Sequence, residues 1–284
     1  MIIKIKDYFK NLIHKKNNIF QLTENRDGFL FFLGESEFDK QLIIDPKRIN
    51  KIVKYINEKS ILNITINDAY FDKIKNLDFI KEIPNIEQIS ILQDNLDLKP
   101  IEKLNKLKSL SFSNSKDKID LKKLTYLEFL STDYRKIENL KSCTNLKSIS
   151  LHFYNQEDLL EFHNFKKLEE LFLYRTNIQN FNGIDNLENI NKIELHNSPK
   201  LLSLKGLPKI AEKLMILYIF NAKKLVDYEG LENLKNIKRL QLDAGGKLEN
   251  LEIFDNLKDL EFLQLGMEVK NGNKIEFMHK VNKK

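Results

Sequence analysis

The chain of 284 residues contains no tryptophan, one cysteine, five prolines and nine glycines. Its longest apolar runs are short: the five residues Phe29-Leu30-Phe31-Phe32-Leu33 and, counting tyrosine, the seven from Leu214 to Phe220. Each scarcity excludes something. A lone Cys143 can build neither an intramolecular disulfide framework nor a paired-cysteine zinc site, and it fits a reducing compartment. The scattered glycines form no phosphate loop; Gly245-Gly246 before Lys247 lacks the required spacing. The longest apolar run is far short of the ~20 residues that span a bilayer. Residues 1–18 carry five lysines among their apolar residues, without the apolar stretch or small-residue cleavage site of a secretory signal, so the expected location is the cytoplasm.

Charge is equally uninformative once it is divided. The chain carries 47 Lys/Arg against 41 Asp/Glu, a net charge of +6. Residues 1–60 hold 12 basic and 8 acidic residues, which leaves 35 against 33 over the remaining 224. A nucleic-acid surface concentrates positive charge in a stripe, and no such excess is present, so nucleic acid is not an expected partner.

What the sequence does have is a repeat. The pattern apolar-x-x-apolar-x-apolar begins at Ile61-Leu62-Asn63-Ile64-Thr65-Ile66 and recurs from Ile86, Leu107, Leu127, Leu146, Leu168, Ile190, Leu214, Ile237 and Leu260. Spacings of 19 to 25 residues between starts imply stacked units, none able to bury its own apolar edge alone. Each block reads as a short strand whose first, fourth and sixth positions point inward, with the third, fifth and seventh outward. The intervening segments, such as Ile178-Gln179-Asn180-Phe181 with Ile184 and Leu187, are too short for long helices and predict 3₁₀ turns and extended backbone. Pro84, Pro100, Pro199 and Pro208 all fall between the blocks, where a missing N–H breaks no ladder.

The clearest copy is Leu168-Glu169-Glu170-Leu171-Phe172-Leu173, continuing through Tyr174-Arg175-Thr176-Asn177-Ile178 to Gly183-Ile184 and Leu187. It resembles the leucine-rich repeat family in its short-repeat form, similar to internalins and the phosphatase-1 regulatory subunit. The resemblance covers roughly residues 61–270 and implies an α/β solenoid of about ten repeats, with a concave parallel β-sheet and a convex side of 3₁₀ and extended segments. The family places Asn or Cys three residues after the sixth position. Here the matching residues include Ser115, Arg135, Thr176, Ser198, Ala222 and Gly245; Ser and Thr can partly substitute as hydrogen-bonding groups, and Ala222 and Gly245 cannot.

Residues 1–60 stand outside the repeat and are assigned to an N-terminal α/β capping region, with 61–284 as the solenoid. Asp45-Pro46 is a helix start, and Ile49, Ile52, Val53 and Ile56 share one helical face after it. Phe29 to Leu33 and Leu42 to Ile44 read as strands. Ile275, Phe277, Met278 and Val281 are assigned to a small C-terminal cap. Ile2, Ile5, Phe9, Leu12 and Ile13 fall at helical spacing among lysines, which suits a cap or, as an alternative, a peripheral membrane contact.

No catalytic motif is present. Cys143 has no histidine placed to activate it, and leucine-rich bacterial ubiquitin ligases, which resemble this array, carry a separate cysteine-bearing domain that residues 1–60 cannot supply. His152 and His196 share the outward seventh position two repeats apart; strands ~4.8 Å apart put their backbones about 10 Å from each other, too far for a common zinc. No cofactor and no metal are expected.

The candidate site is the outward sheet face. Of its thirty positions six are aromatic (Phe129, Phe172, Tyr174, Tyr218, Phe220 and Phe262) and only two basic, Lys192 and Arg239. Aromatic enrichment with lysine depletion marks the cores of protein interfaces, although strand propensity alone also favours aromatics. The first five repeats present mostly small polar residues, including Thr65, Asn67, Ser90, Ser109, Ser111, Ser113, Ser131, Ser148 and Ser150. The expected partner-binding set is therefore Phe129, Phe172, Tyr174, Arg175, Glu194, His196, Ile216, Tyr218, Phe220 and Asp243, with Lys192, Glu194 and His196 splitting the aromatic residues. The resulting expectation is a monomeric, non-enzymatic intracellular adaptor or regulator that binds a protein. Alternatives are an immunity-type inhibitor of a toxin and a secreted or surface adhesin of internalin type.

Overall fold

The computed structural model describes residues 21–33 and 40–283. The helix expected over Ile2 to Ile13, and the membrane contact attached to it, lie outside that range. The chain forms two compact units: one runs to Leu127 and includes Lys136–Asn139, and the other comprises Glu128–Arg135 and Leu140–Lys284. No helix among the described residues is long and apolar enough to cross a membrane.

In the first unit β1 (Gln21–Glu24) pairs antiparallel with β2 (Leu30–Leu33), and β2 antiparallel with β3 (Gln41–Ile43). From β3 onward the pairing is parallel, through β4 (Asn63–Ile66) and β5 (Gln88–Ile91) to β6 (Ser109–Phe112). The non-repeat cap and the first repeats thus share one sheet. Between β3 and β4 the Asp45 carboxylate accepts the Lys47 N–H at 2.9 Å and opens a 3₁₀ turn, Pro46–Arg48, that leads into α1 (Ile49–Lys59). Ile52, Val53 and Ile56 are buried on the expected face. β1 was not expected, because Gln-Leu-Thr-Glu has too little apolar alternation to read as a strand. Thr65 and Asn67, expected outward, are buried: the Thr65 hydroxyl bonds the Gln41 side chain from the neighbouring strand, and the Asn67 side chain accepts the Ala69 N–H.

The second unit carries seven parallel strands, in register but for a shift late in the fifth and sixth: β7 (Phe129–Asp133), β8 (Ser148–His152), β9 (Glu170–Tyr174), β10 (Lys192–His196), β11 (Ile216–Ala222), β12 (Arg239–Ala244) and β13 (Phe262–Leu265). Their inward residues form the core. Leu168, Leu171, Leu173, Ile193, Leu195, Leu217, Ile219 and Leu240 have no exposed surface, and full burial of each such side chain is worth about 1.5–3 kcal/mol. The return segments are 3₁₀ turns and extended chain, as the spacing predicts, including Leu140–Ser142, Leu160–Phe162, Leu207–Ile210, Leu231–Asn233 and Glu252–Phe254. Gly183 is required at one of them: at φ 99° a Cβ there would lie 2.4 Å from the Leu160 backbone nitrogen.

The step positions divide as their chemistry allows. Ser115, Thr176, Ser198 and Ala222 are buried, whereas Arg135 and Gly245 are exposed. Thr176 accepts the Ile178 N–H at 3.2 Å, while at Ala222 the backbone carbonyl takes over and receives N–H groups from Leu225 and Gly245. Cys143 is fully buried, and burial pushes its thiol up to about 12, which keeps it protonated and unreactive.

The last strand is closed by α2 (Lys274–Val281). The Asn282 side-chain amide accepts the Leu263 N–H at 2.7 Å and donates to the Leu263 carbonyl at 3.1 Å, standing in for the missing next strand. Val281 is buried, whereas Ile275, assigned to the same small cap, is 63% exposed.

Candidate functional site

In-register parallel strands place equivalent side chains one strand spacing apart, ~4.8 Å. Flat rings repeated at one position therefore stack. The seventh position of four consecutive repeats in the second unit holds His152, Tyr174, His196 and Phe220, and their rings form a continuous stack. Centroids are separated by 4.6, 4.6 and 4.5 Å, with interplanar angles of 13°, 16° and 17°. Such ring pairs contribute ~0.5–1.5 kcal/mol each beyond simple burial. The imidazoles of His152 and His196 are separated by the whole Tyr174 ring, so they cannot share an ion.

Neighbouring groups lock the stack. The Glu194 carboxylate lies 2.9 Å from His196 Nε2 and 2.9 Å from Lys192 Nζ, and that ammonium sits 4.8 Å over the Phe172 ring. The charged strand β10, expected to split the aromatic residues, joins them instead. Burial alone would raise the Glu194 carboxyl, but hydrogen bonds from His196 and Lys192 outweigh it and hold the group below its ordinary value. His152 is pushed down to about 4, chiefly by burial, with the Arg175 charge adding in the same direction.

A second cluster flanks the stack. Tyr218 lies edge-on to Phe220 at 6.1 Å and to Phe262 at 6.4 Å. The Arg239 Nε–H donates to the Tyr218 hydroxyl at 2.7 Å, and its guanidinium covers the Phe262 ring at 4.6 Å. Beyond Phe220 the register between β11 and β12 shifts, a local bulge that ends the column. There the Asp243 carboxylate accepts the Asn221 N–H at 3.1 Å.

The residue after each ring adopts the left-handed conformation: Phe153 (φ 59°), Arg175 (φ 56°), Asn197 (φ 61°) and Asn221 (φ 54°). This turn aims three of their N–H groups at the next strand, Phe153 to the Tyr174 carbonyl, Arg175 to His196 and Asn197 to Phe220. Arg135 packs its guanidinium 3.8 Å over Phe153, and Arg175 approaches the same ring at 5.3 Å.

The structure thus brings together Phe172, Tyr174, Glu194, His196, Ile216, Tyr218 and Phe220, with Arg175 at the margin. Phe129 is not among them; it is 47% exposed at the start of β7, in register with Ser148 rather than with a ring, four positions before the Asp133 that faces His152. Asp243 is bound to backbone just past the bulge. The expected set omitted His152, Phe153 and Arg135. His152 was visible as one of four rings at one repeat position, but only when the repeats are read down the column rather than along each strand. Phe153 follows the strand and falls outside the alternation that marks outward residues.

No family model matches the chain, and no curated protein matches it. Solved structures do. An internalin from Listeria monocytogenes superimposes with a TM-score of 0.50 at 17% identity, over 79% of this chain and 82% of its own. A chain of the mouse RP105/MD-1 complex gives 0.51 at 15% identity, over 72% of this chain and 38% of that one. With its repeated strand blocks, in-register parallel ladder and 3₁₀ returns, the chain has the leucine-rich repeat fold.

Proposed function

We propose that the protein is a non-enzymatic interaction module that binds a protein partner on the ring-bearing sheet face of its second unit, as an intracellular adaptor or regulator. The observation that carries this reading is the stack from His152 to Phe220 with Tyr218 and Phe262 beside it. Clustered tyrosine and arginine side chains on a rigid scaffold are the residues from which interface hot spots are built. A sheet held by in-register strands binds with little rearrangement. That one of the superimposed chains belongs to a protein complex, mouse RP105/MD-1, is in keeping with such a role.

The test is affinity capture from a lysate of the native organism with wild type and the double variant Tyr174→Arg, Tyr218→Arg, both verified as folded by circular dichroism. A protein retained by wild type and by a Ser109→Arg, Ser111→Arg control, but lost by the double variant, supports the reading. Equal capture by all three removes the ring face as the site.

A further inference from the structure

Arg175 is oddly placed for a surface arginine. It is exposed and sits at a left-handed φ of 56°, a conformation that disfavours residues other than glycine and asparagine. The two following turns use Asn197 and Asn221 at the same step. The two non-Asn residues in this column, Phe153 and Arg175, are those that meet each other, ring against guanidinium. An observed outlier of this kind points to a use other than stability.

The charges around Phe153 do not balance. Two guanidiniums, of Arg135 and Arg175, flank the ring, and one carboxylate, that of Asp133, lies beside them. Asp133 is committed to Arg135: it is buried and accepts the Arg135 backbone N–H at 2.9 Å, Nε–H at 2.9 and 3.2 Å, and Nη2–H at 2.6 Å. Among the described residues no carboxylate lies within 4.0 Å of the Arg175 guanidinium. A planar fork held against an aromatic ring, with no carboxylate of its own, is pre-organised to receive one in bidentate geometry.

The source of that carboxylate follows from the rest of the face. Asp133, Glu170, Glu194 and Asp243 accompany Lys192, Arg239, Arg135 and Arg175, so the surface is near neutral and repels a polyphosphate as much as it attracts one. The rings beside Arg175 favour an apolar neighbour. Resting on the function proposed above, we infer that Arg175 is the docking point for an aspartate or glutamate side chain of the protein partner, whose adjacent apolar residue lies along the Tyr174–His196–Phe220 stack.

The experiment is selection of a random peptide library, presented within a loop of a display protein, on the full chain and its variants. Binders that Tyr218→Arg abolishes are expected to share an Asp or Glu next to an aromatic or aliphatic residue. Arg175→Ala weakens them about 10- to 100-fold, the loss for one charge-assisted pair. Changing the peptide's acid to its amide costs the same, and the two changes together cost no more than one. Arg175→Lys restores part of the affinity, and Arg175→Glu turns the selected charge to Lys or Arg. Tyr218-dependent binders with no acidic preference, or indifferent to Arg175→Ala, overturn this inference and leave the proposed face intact. Binders indifferent to Tyr218→Arg, or none at all, overturn the face itself. Dependence on Arg175 seen only with peptides ending in a free carboxylate, or with a poly-dT oligonucleotide, replaces the side-chain carboxylate by a chain end or by nucleic acid.

Discussion

The outward faces of the two units differ far more than their cores do. In the first unit β5 and β6 present Ser90, Ser109 and Ser111 above buried Ile89, Ile91, Leu110 and Phe112. In the second, β9 to β11 present Phe172, Tyr174, His196, Tyr218 and Phe220 above Leu171, Leu173, Leu195 and Leu217. The inward residues are interchangeable between units, because any apolar residue of suitable volume satisfies the stack. The outward residues carry no such obligation to the core, so a run of rings there is set by packing between strands or by what the face meets. Serine hydroxyls there reach their neighbours weakly, as in the 3.3 Å hydrogen bond that Ser113 donates to the Asp94 carboxylate. Rings at that spacing build a continuous rigid surface.

The largest effects should ignore this difference. Leu110→Ala in the first unit and Leu171→Ala in the second, both fully buried, are each expected to cost about 2–5 kcal/mol, read as reduced protection in native-state hydrogen exchange within the altered unit. A core change tolerated in one unit and not the other would break the view that the cores are equivalent.

Acid should separate the units. His152 titrates at about 4 in the folded chain, against about 6.5 when unfolded. The unfolded state therefore binds the proton first. This stability is present in full above pH 6.5 and is lost as pH falls from 6.5 to about 4, by an amount on the order of 2–3 kcal/mol. The first unit contains no histidine among its described residues. Exchange at the Leu151 and Leu173 amides should rise across that window more than at Leu110. His152→Phe keeps a ring in the stack and should remove the difference; its survival would assign the acid response to carboxylates.

Removing a rung comes next. His196→Ala deletes two stacking contacts and the Glu194 interaction and should cost about 1–2 kcal/mol. Ser111→Ala at an outward place in the first unit should stay within ~0.5 kcal/mol. Equal costs measured by denaturant titration would mean that the rings are ordinary strand residues.

The contrast between the faces also marks where sequence reasoning succeeds. Inward positions such as Leu168, Leu171 and Leu173 were legible because burial imposes one requirement on every repeat. The helix after Asp45 was legible from its cap. The exposure of Ile275 was not legible because an eight-residue helix holds too few apolar residues to define a face, and β1 was missed because pairing, not alternation, makes it a strand. The stack was half legible. Its members could be assigned outward, but whether Glu194 divides rings or ties them depends on side-chain reach across strands, which no single repeat encodes. The Arg135–Phe153–Arg175 cluster depends on a left-handed turn at residues with no preference for one, so local propensity argued against it.

That last conflict supplies the smallest and most discriminating prediction. Arg175→Asn places at φ 56° the residue type that Asn197 and Asn221 already use there. Relief of backbone strain favours the variant by up to ~1 kcal/mol, and loss of the exposed contact with Phe153 opposes it by ~0.5–1 kcal/mol. The net change should lie within about 0.5 kcal/mol, read as an unchanged denaturation midpoint. A loss above ~1 kcal/mol would mean that Arg175 is held for stability, as a brace on Phe153. Unchanged stability would leave its left-handed conformation without a structural return, and the remaining use for an exposed guanidinium beside a ring stack is contact with something outside the chain.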